Sequence, residues 1–397
     1  MPITERWLLP EGVGELLPAE AEQLERARRV LIDLFHSWGY KLVVPPLIEY
    51  LESLLTGVGT DLELQTFKFT DQLTGRLMGV RADITPQVAR IAAHRIKRKG
   101  IVRLCYIGSV LHTLPQGLGG ARNPIQVGAE LYGHGGIESD LEVLRLALEA
   151  LEKVGIKQAH LDLGHVGIFR DLVSQAGLSP EEEYTLFDAL QRKAQDEMDL
   201  MLRNNGVGSK LRRMFTALTN LNGGNEVLAE AEQVLAGSGV EQALTTLKKV
   251  AVLADKYLPQ VPIHFDLGEL RGYRYHTGLV FAVYIPGRGQ AVAQGGRYDD
   301  IGEVFGRAQP ATGFSIDLKE LVTLSGSISA PCQGIYAPWS EDPDFEQEVA
   351  RLRQQGEQVV YGFPGTANGF EELDCNRELV LEKGQWQVTE IRKLRRG

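Results

Sequence analysis

The fold is decided by a glycine-rich stretch, Gly295-Gly296-Arg297-Tyr298-Asp299, which is followed by Pro310-Ala311-Thr312-Gly313-Phe314. Just before it, apolar residues from Leu279 to Ile285 and from Ala291 to Ala293 predict two strands. Gly287-Arg288-Gly289 lies between these strands and predicts a hairpin-like turn. The deciding stretch is therefore expected to belong to an antiparallel sheet.

Upstream, the sequence predicts a long helix followed by short strands. Apolar residues recur at helical spacing from Ala19 to Trp38, Gly39 ends the helix, and Lys41–Val44 predicts a strand that stops at Pro45-Pro46. Thr85 is predicted to cap a helix with Pro86 at its first position, and Ser139–Glu142 has the pattern of a capping box. Further strands are predicted at Thr66–Thr70, Leu77–Arg81, Val102–Val110, Ile125–Tyr132, His160–Phe169 and Ile263–Gly268.

A second capping box, Ser179–Glu182, opens a helical region that continues to about Tyr257. We interpret residues from about 170 to 258 as a helical insertion into a sheet domain that covers residues 1–325. Residues 326–397 predict a small α/β domain, whose elements are strands at Gly334–Ala337 and Gln358–Tyr361, a helix at Asp344–Gln355, and a hairpin of Glu378–Leu381 with Gln385–Val388. The predicted fold class is α+β, an antiparallel sheet flanked by helices.

Composition excludes several classes of protein. The 397 residues carry a formal net charge of -10, which weakens the case for nucleic-acid binding, and the basic run 392–396 predicts a solvated tail. The three cysteines, Cys105, Cys332 and Cys375, are far apart, so neither a disulfide framework nor a structural zinc site is indicated. No apolar run reaches the ~18 residues of a membrane span, and Met1–Arg6 has no signal pattern, which predicts a cytoplasmic location.

General catalytic motifs are also missing from the sequence. There is no phosphate-binding GxxxxGK[ST] loop, no HExxH metal motif and no GxSxG nucleophile motif. Gly57-Val58-Gly59 lacks the third glycine of a dinucleotide-binding fingerprint. We therefore expect no cofactor and no metal.

An ordered set of segments resembles the histidyl-tRNA synthetases, over residues from about 5 to 325. The deciding stretch resembles their third signature segment, Glu269–Gly278 their histidine-specific segment, and Arg81–Pro86 the loop that holds the ammonium group of the amino acid. Gln126 and Glu130 are similar to the end of the second signature segment. The first helix, strand and Pro45-Pro46 resemble the dimer-forming first segment, so the resemblance implies a class II aminoacyl-tRNA synthetase-like fold and a homodimer.

The matched residue types suit a free amino acid. Asp83 and Thr85 provide oxygen atoms for an α-ammonium, Glu130 is able to accept from an imidazole N–H, and Arg271 offers a fixed fork for a carboxylate. Taken singly, each of these residues is better explained as a surface or strand-end polar group. By the resemblance, the histidine-binding candidates are Asp83, Thr85, Gln126, Glu130, Arg271, Tyr275 and His276.

Two departures from the family lie at the nucleotide site. The synthetases place an arginine against the α-phosphate and another against the adenine and γ-phosphate, whereas this chain has His112 and Glu320 there. Lys319 is one position away and is the alternative cation if the alignment slips. Amino-acid activation depends on neutralising phosphate charge in the transition state, so we expect no aminoacylation activity.

This pattern resembles the regulatory subunits that accompany the short catalytic form of ATP phosphoribosyltransferase. The subfamily implies a non-catalytic protein of histidine biosynthesis, which assembles with the short subunit, activates it for the reaction of ATP with PRPP, and mediates feedback by histidine. The expected partners are that subunit, a second copy of this chain and free histidine, without nucleic acid or membrane. The alternatives are an active histidyl-tRNA synthetase with a divergent ATP site and a ligand-free scaffold.

Overall fold

The protein is described by a computed structural model that covers residues 7–57, 60–96, 100–115, 120–273, 275–306, 308–325, 334–365 and 373–391. The chain divides into two compact units, Met1–Ser327 and Ile328–Gly397. The sequence-predicted boundary at 325/326 adjoins a stretch outside the described residues. Arg274, Cys332 and the basic tail 392–396 also lie outside them.

The larger unit combines helices with short strands. Its strands are β1 (Lys41–Leu42), β2 (Ile48–Tyr50), β3 (Phe67–Thr70), β4 (Leu77–Val80), β5 (Val102–Ser109), β6 (Ile125–Tyr132), β7 (His160–His165), β8 (Asn222–Gly223), β9 (Ile263–Asp266), β10 (Leu279–Tyr284), β11 (Ala293–Arg297) and β12 (Ala311–Asp317). Its α-helices are α1 (Pro18–Ser37), α2 (Leu51–Leu54), α3 (Thr60–Gln65), α4 (Thr85–His94), α5 (Ile137–Lys153), α6 (Val166–Ala176), α7 (Pro180–Gln191), α8 (Gln195–Asn204), α9 (Ser209–Leu218), α10 (Glu226–Val234), α11 (Glu241–Tyr257) and α12 (Leu318–Leu324). A 3-10 helix spans Asp299–Phe305.

A nine-stranded sheet organises this unit, in the order β1-β5-β6-β12-β11-β10-β7-β9-β8. Only the β1–β5 and β7–β9 pairs are parallel. A separate three-stranded sheet has the order β2-β4-β3. The deciding stretch lies at the centre of the large sheet, where Gly296 on β11 is opposite Gly313 on β12. The predicted α+β class with a largely antiparallel sheet is confirmed.

Helices cover the sheet through apolar stripes. On α1 the residues Ala27, Leu31, Leu34 and Phe35 are buried, as the helical spacing predicts. The ring of Phe35 meets that of Phe314 on β12 edge to face, with centroids 6.1 Å apart. The first helix therefore packs directly against the strand that follows the deciding stretch.

Two predicted caps are wrong, because each side chain has a stronger partner. The N-cap of α4 is Ile84, not Thr85. The hydroxyl of Thr85 instead donates to Glu130 at 3.0 Å. Helix α5 is capped by Gly136, so Ser139 lies inside the first turn, where its hydroxyl donates to the Gly136 carbonyl at 2.7 Å. The predicted box Ser179–Glu182 is confirmed at the start of α7.

Two predicted strands are also displaced. The predicted strand His160–Phe169 ends at His165, whose imidazole Nδ1 accepts a hydrogen bond from the Gly167 backbone N–H at 3.1 Å and caps α6. The predicted strand Ala291–Ala293 is shifted onto β11. Glycines on β11 are favoured there because a Cβ on Gly295 would lie 2.2 Å from the Gly313 carbonyl oxygen. Close approach of neighbouring backbones thus overrides the weak strand propensity of glycine.

Arg297 at the end of β11 joins the sheet to helix α5. Its guanidinium is buried and lies 2.9 Å from the Asp140 carboxylate and 3.1 Å from Asp299. It also donates to the Ser139 hydroxyl at 2.9 Å and to the His134 carbonyl at 3.2 Å. Because all these partners are charged or polar, the arginine is well satisfied despite its burial.

The smaller unit is a four-stranded sheet packed on one helix. Its elements are β13 (Gly334–Pro338), α13 (Pro343–Gln354), β14 (Val359–Gly362), β15 (Cys375–Glu382) and β16 (Gln385–Glu390), with the strand order β14-β13-β15-β16. β15 and β16 form the predicted hairpin, with Lys383 and Gly384 both at positive φ in the turn. Buried side chains of α13, Phe345, Val349 and Leu352, form the core with Ile335.

Candidate functional site

A cavity of about 960 Å³ opens on the central sheet of the larger unit. Its floor comes from β6, β11 and β12, and its walls come from the loop before α4, the segment Arg271–His276 and the first turns of α7. The seven histidine-binding candidates come from three parts of the fold, which are the start of α4 with the loop before it, strand β6, and the segment before β10. The residues that line the cavity include Asp83, Thr85, Gln126, Glu130, Arg271, Tyr275 and His276, together with His112 and Glu320.

The loop before α4 is tied to β6 by an amide side chain. The Nε2 of Gln126 donates to Asp83 Oδ1 at 2.8 Å, and its Oε1 accepts from the Ile84 backbone N–H at 2.8 Å. The same Asp83 oxygen accepts from the backbone N–H of Thr85 at 3.0 Å. The Asp83 carboxylate is therefore fixed at the cavity wall, with capacity left for further donors.

Glu130 lies at the cavity floor in a ring of hydroxyl groups. Its Oε1 accepts from Thr85 at 3.0 Å and from the Tyr106 hydroxyl at 3.1 Å, and the Tyr298 hydroxyl donates to Oε2. The side chain is 1% exposed. Burial raises the pKa of Glu130 to about 8, although the three hydroxyl donors act in the opposite direction.

Glycine at position 313 makes room for this carboxylate. Gly313 on β12 is directly opposite Glu130 on β6, and a Cβ there would lie 1.5 Å from Glu130 Oε2. Gly128, two residues before Glu130 on the same strand, leaves space for the Tyr106 hydroxyl in the same way, at 2.4 Å from the position of a Cβ. Gly313 thus allows close strand pairing in the sheet and also leaves space for the Glu130 carboxylate at the site.

The histidine-specific segment forms one cavity wall. The Nδ1 of His276 lies 2.9 Å from the Arg271 carbonyl oxygen, and burial lowers the pKa of His276 to about 4, so the ring is neutral. The Tyr275 ring lies against it with centroids 4.3 Å apart. The Arg271 guanidinium lies 3.2 Å from Glu269 and over the Tyr284 ring. It is thereby held at the cavity wall.

Helix α7 of the insertion contributes residues that sequence reasoning missed. Glu183 and Phe187 line the cavity. Both contact Tyr273 of the histidine-specific segment: the Tyr273 hydroxyl donates to Glu183 at 2.8 Å, and the Phe187 ring stacks on Tyr273 with centroids 5.6 Å apart. The insertion is therefore part of the cavity wall. The spacing of Glu183 and Phe187, one helical turn apart, was the available signal.

We expect Tyr273→Phe to lower the free energy of unfolding by about 1 kcal/mol, because it removes one hydrogen bond and keeps the stacked ring. Urea denaturation measures the change. Tyr257→Phe on α11 is the control, since Tyr257 is 43% exposed and should change stability by less than about 0.5 kcal/mol. Equal stability of the two variants would show that the Tyr273–Glu183 hydrogen bond does not hold α7 in place.

The two positions that depart from the synthetases hold neither arginine nor lysine. His112 is buried, and its Nε2 lies 2.9 Å from the Ala82 carbonyl oxygen. Glu320 forms an ion pair with Arg288 at 2.5 Å. Lys319, the alternative cation, does not line the cavity; its ammonium donates to the Gly14 carbonyl at 3.3 Å.

The cavity as a whole is acidic. Among the described residues that line it, Arg271 is the one arginine or lysine, against carboxyl groups at Asp83, Glu130, Glu183, Asp317 and Glu320. Burial raises the pKa of Asp317 and of Glu320. Such a lining favours a ligand with an ammonium group over a triphosphate. In the described parts of the chain no three His, Cys, Asp or Glu residues form a group that could hold a metal ion. Among the helices of these parts, none combines the length and the hydropathy that a membrane span needs.

The fold and the cavity define a class II aminoacyl-tRNA synthetase-like protein. Comparison with known proteins identifies the family within this class. The histidyl-tRNA synthetase family matches residues 12–321, and the C-terminal domain of the ATP phosphoribosyltransferase subunit HisZ matches residues 332–389. Because a regulatory subunit of ATP phosphoribosyltransferase is 83% identical over the whole length, the chain belongs to the family of these regulatory subunits. Its role is accordingly that of a regulatory subunit in histidine biosynthesis.

Relatives and solved structures support this assignment over nearly the whole chain. An ATP phosphoribosyltransferase regulatory subunit of Nitrosococcus oceani is 83% identical over 100% of both chains, and one of Alkalilimnicola ehrlichii is 57% identical over 97% of each. A Bacillus halodurans structure, an ATP phosphoribosyltransferase regulatory subunit/histidyl-tRNA synthetase, has a TM-score of 0.80 at 26% identity and covers 92% of this chain and 95% of its own. Histidyl-tRNA synthetase of Nostoc shares the fold, with a TM-score of 0.77 at 17% identity over 97% of each chain.

Proposed function

We propose that this chain binds free histidine in the acidic cavity, activates the short catalytic subunit of ATP phosphoribosyltransferase for the reaction of ATP with PRPP, and mediates feedback by histidine. The observation that carries the proposal is a pocket whose carboxyl, hydroxyl and guanidinium groups suit an amino acid, and which has no arginine or lysine at either position expected for the triphosphate. Membership of the regulatory-subunit family supports the proposal that the catalytic subunit is a partner of this chain.

The bound amino acid would use groups that already face the cavity. Its ammonium would donate to Asp83 and Thr85, and its imidazole N–H would donate to Glu130. Gln126 would orient Asp83, and Arg271 would bind the carboxylate through its remaining N–H groups. Tyr275 and His276 would form the wall of the site, with the neutral His276 adding no charge.

Amino-acid activation is not expected from this cavity. Loss of one arginine at a phosphoryl-transfer site reduces rate by roughly 10³ or more. Here both arginine positions are occupied by other residues, and the Glu320 carboxylate would oppose a polyphosphate. We therefore propose that the chain has no aminoacylation activity. Histidine-dependent ATP–pyrophosphate exchange would establish the alternative of an active synthetase.

A homodimer is proposed through the first segment. β1 is a two-residue edge strand of the large sheet, and apolar side chains on it and just after it are open to solvent. Leu42, Val44, Leu47 and Ile48 are exposed by 45%, 79%, 46% and 43%. An exposed apolar group beside a free strand edge is typical of an association surface. The cytoplasmic location and the lack of a nucleic-acid partner stay predictions.

Regulation requires that histidine bind two assembly states with different affinity. For feedback inhibition, it must favour the less active state. Reconstitution tests this directly: the short catalytic subunit is assayed alone, with this chain, and with this chain plus histidine. We expect activity to rise on mixing and to fall with histidine. An unchanged activity on mixing would remove the proposed function, and activation without any effect of histidine would favour a ligand-free scaffold.

Histidine binding should release about one proton at pH 7. Glu130 is largely protonated in the free site, and the ammonium and imidazole N–H groups of bound histidine favour its ionised form. Calorimetry in buffers with different ionisation enthalpies measures the proton count. The raised pKa of Glu130 also makes folding depend on pH. Its stabilising contribution to the free energy of unfolding is complete below the unfolded pKa of 4.5 and is lost as the pH rises through about 8. Glu130→Gln should abolish the proton release. The same buffer dependence in the variant would assign the proton to another group.

A further inference from the structure

His112 has one ring nitrogen that lacks a hydrogen-bond partner. The side chain is 5% exposed, and its Nε2 lies 2.9 Å from the Ala82 carbonyl oxygen. Because a carbonyl only accepts, Nε2 carries the proton, and Nδ1 of the neutral ring is left as an acceptor. In the described parts of the chain this buried Nδ1 meets no donor. A buried acceptor without a donor costs free energy, so a ligand that donates to it would bind with advantage.

The backbone around His112 fixes the position of the ring. The Leu111 N–H donates to the Arg81 carbonyl at 3.1 Å. The His112 N–H donates to the Arg122 carbonyl at 2.8 Å, and Arg122 Nε donates back to the His112 carbonyl at 3.0 Å. His112 is thus held between the loop before α4 and the segment that leads into β6. An acceptor that is fixed before the ligand arrives lowers the cost of binding.

His112 lines the cavity at the ammonium end of the amino-acid site. Ala82, whose carbonyl holds the ring, directly precedes Asp83, the proposed acceptor for the ammonium group. Glu130, the proposed acceptor for the imidazole N–H, is bonded to Thr85 at the other end of this short loop. In an α-amino acid the ammonium and carboxyl groups share one carbon atom. The carboxyl end of bound histidine is therefore expected beside His112.

A free carboxylate is not the best group for this position. Its oxygens have no proton to donate, so they would meet the Nδ1 lone pair of His112 as further acceptors. Arg271, the one arginine or lysine among the described lining residues, is already paired with Glu269 at 3.2 Å. An amide at the same place offers two complementary groups, because its carbonyl oxygen accepts from Arg271 and its N–H donates to Nδ1. His112 therefore favours an amide over a carboxylate.

The cavity also has space for a substituent on the amide nitrogen. Its volume of about 960 Å³ is at the upper end of the ~300–1,000 Å³ that is typical of small-molecule pockets. The segment paired with His112 lines the cavity with Gly120, Ala121 and Pro124, which carry small side chains or none. A group attached to the carboxyl end of histidine would therefore extend along this part of the lining.

We propose that the cavity binds histidine whose carboxyl group is condensed as an amide, either as the small amide or at the N-terminus of a peptide, with the amide N–H donating to His112 Nδ1. The inference rests on the proposed function, which supplies the amino-acid site. It extends the ligand from free histidine to a class of larger molecules and assigns His112 the selection of the amide.

Calorimetric titration of the full-length chain with matched ligands tests the proposal. Histidine amide and histidine methyl ester are both uncharged at the carboxyl end, but only the amide has an N–H to donate there. We expect the amide to bind about three- to tenfold more tightly than the ester, as one additional hydrogen bond predicts. Histidyl-glycine should share this gain if a peptide N-terminus is the ligand, and a gain for the amide alone would restrict the class to the small amide.

Two substitutions of His112 separate the roles of its ring nitrogens. His112→Gln keeps a donor for the Ala82 carbonyl and removes the Nδ1 acceptor, so the affinities for amide and ester should converge. His112→Asn places an amide oxygen near the Nδ1 position and should keep the preference. The ratio of the two affinities is the measured quantity, because a general loss of stability weakens both ligands alike. His36→Gln is the control, since His36 is exposed on α1 and the ratio should not change.

The outcomes separate this inference from the proposed function. Equal affinities of the unsubstituted chain for amide and ester would overturn the inference, and binding of free histidine in the same series would leave the proposed function standing. An amide preference that persists in His112→Gln would also overturn it, by assigning the N–H to another acceptor. Binding of the amide without binding of free histidine would support the inference and contradict feedback by histidine. No binding of either ligand would remove both.

Discussion

Glu130→Ala should weaken histidine binding by about 30- to 100-fold, while the chain stays folded. The substitution removes a carboxylate that is expected to accept the imidazole N–H, and a hydrogen bond to a charged group contributes about 1.5–3 kcal/mol. It also leaves the Thr85, Tyr106 and Tyr298 hydroxyls without their common acceptor. Isothermal titration with histidine measures the dissociation constant. An unchanged constant would place the ligand elsewhere.

Glu130→Gln is the matched control for that experiment, because it keeps the shape and one acceptor oxygen but cannot ionise when the ligand binds. We expect it to bind histidine more tightly than the alanine variant and more weakly than the unsubstituted chain. Far-UV circular dichroism of both variants should match that of the unsubstituted chain, since burial already penalises the ionised carboxylate at this position.

Arg297→Met should lower the free energy of unfolding by about 3–5 kcal/mol, because it leaves the buried Asp140 carboxylate without its cation. Burial already raises the pKa of Asp140, and Arg297 opposes that shift. Urea denaturation measures the loss. Asp140→Asn combined with Arg297→Met should recover part of it, because no charge then stays buried.

A surface arginine provides the control for this prediction. Arg203 on α8 pairs with Asp199 at 2.9 Å, but its side chain is 65% exposed. We expect Arg203→Met to change stability by no more than about 0.5 kcal/mol. Equal losses at Arg203 and Arg297 would show that burial of the Arg297–Asp140 pair has no special importance for the larger unit.

Much of the fold could be predicted from the sequence because its elements are strongly patterned. The apolar stripe of α1 and the Ser179–Glu182 box both gave correct helices. The errors arose where tertiary contacts outcompete local signals. Thr85 has a good capping sequence, yet Glu130 and Tyr106, far along the chain, bind its hydroxyl.

The candidate site was predictable only as a set of positions. All nine predicted site positions line one cavity, although their functional roles stay predictions. Sequence reasoning missed Glu183 and Phe187, because their helical spacing does not reveal that α7 contacts Tyr273 through a hydrogen bond and a stacked ring. The ion pair between Arg271 and Glu269 could not be predicted from the sequence either, since ion-pair geometry depends on loop conformation.

The central claim is that the cavity accepts a small amino acid and lacks the arginine side chains that would bind the α- and γ-phosphates of ATP. A calorimetric titration of the full-length chain with histidine, followed by Mg-ATP on the histidine-saturated sample, tests it most directly. We predict one saturable histidine site and no heat of binding for ATP. Tight ATP binding that depends on histidine would contradict the account, because an acidic cavity with Arg271 alone cannot hold the α- and γ-phosphates.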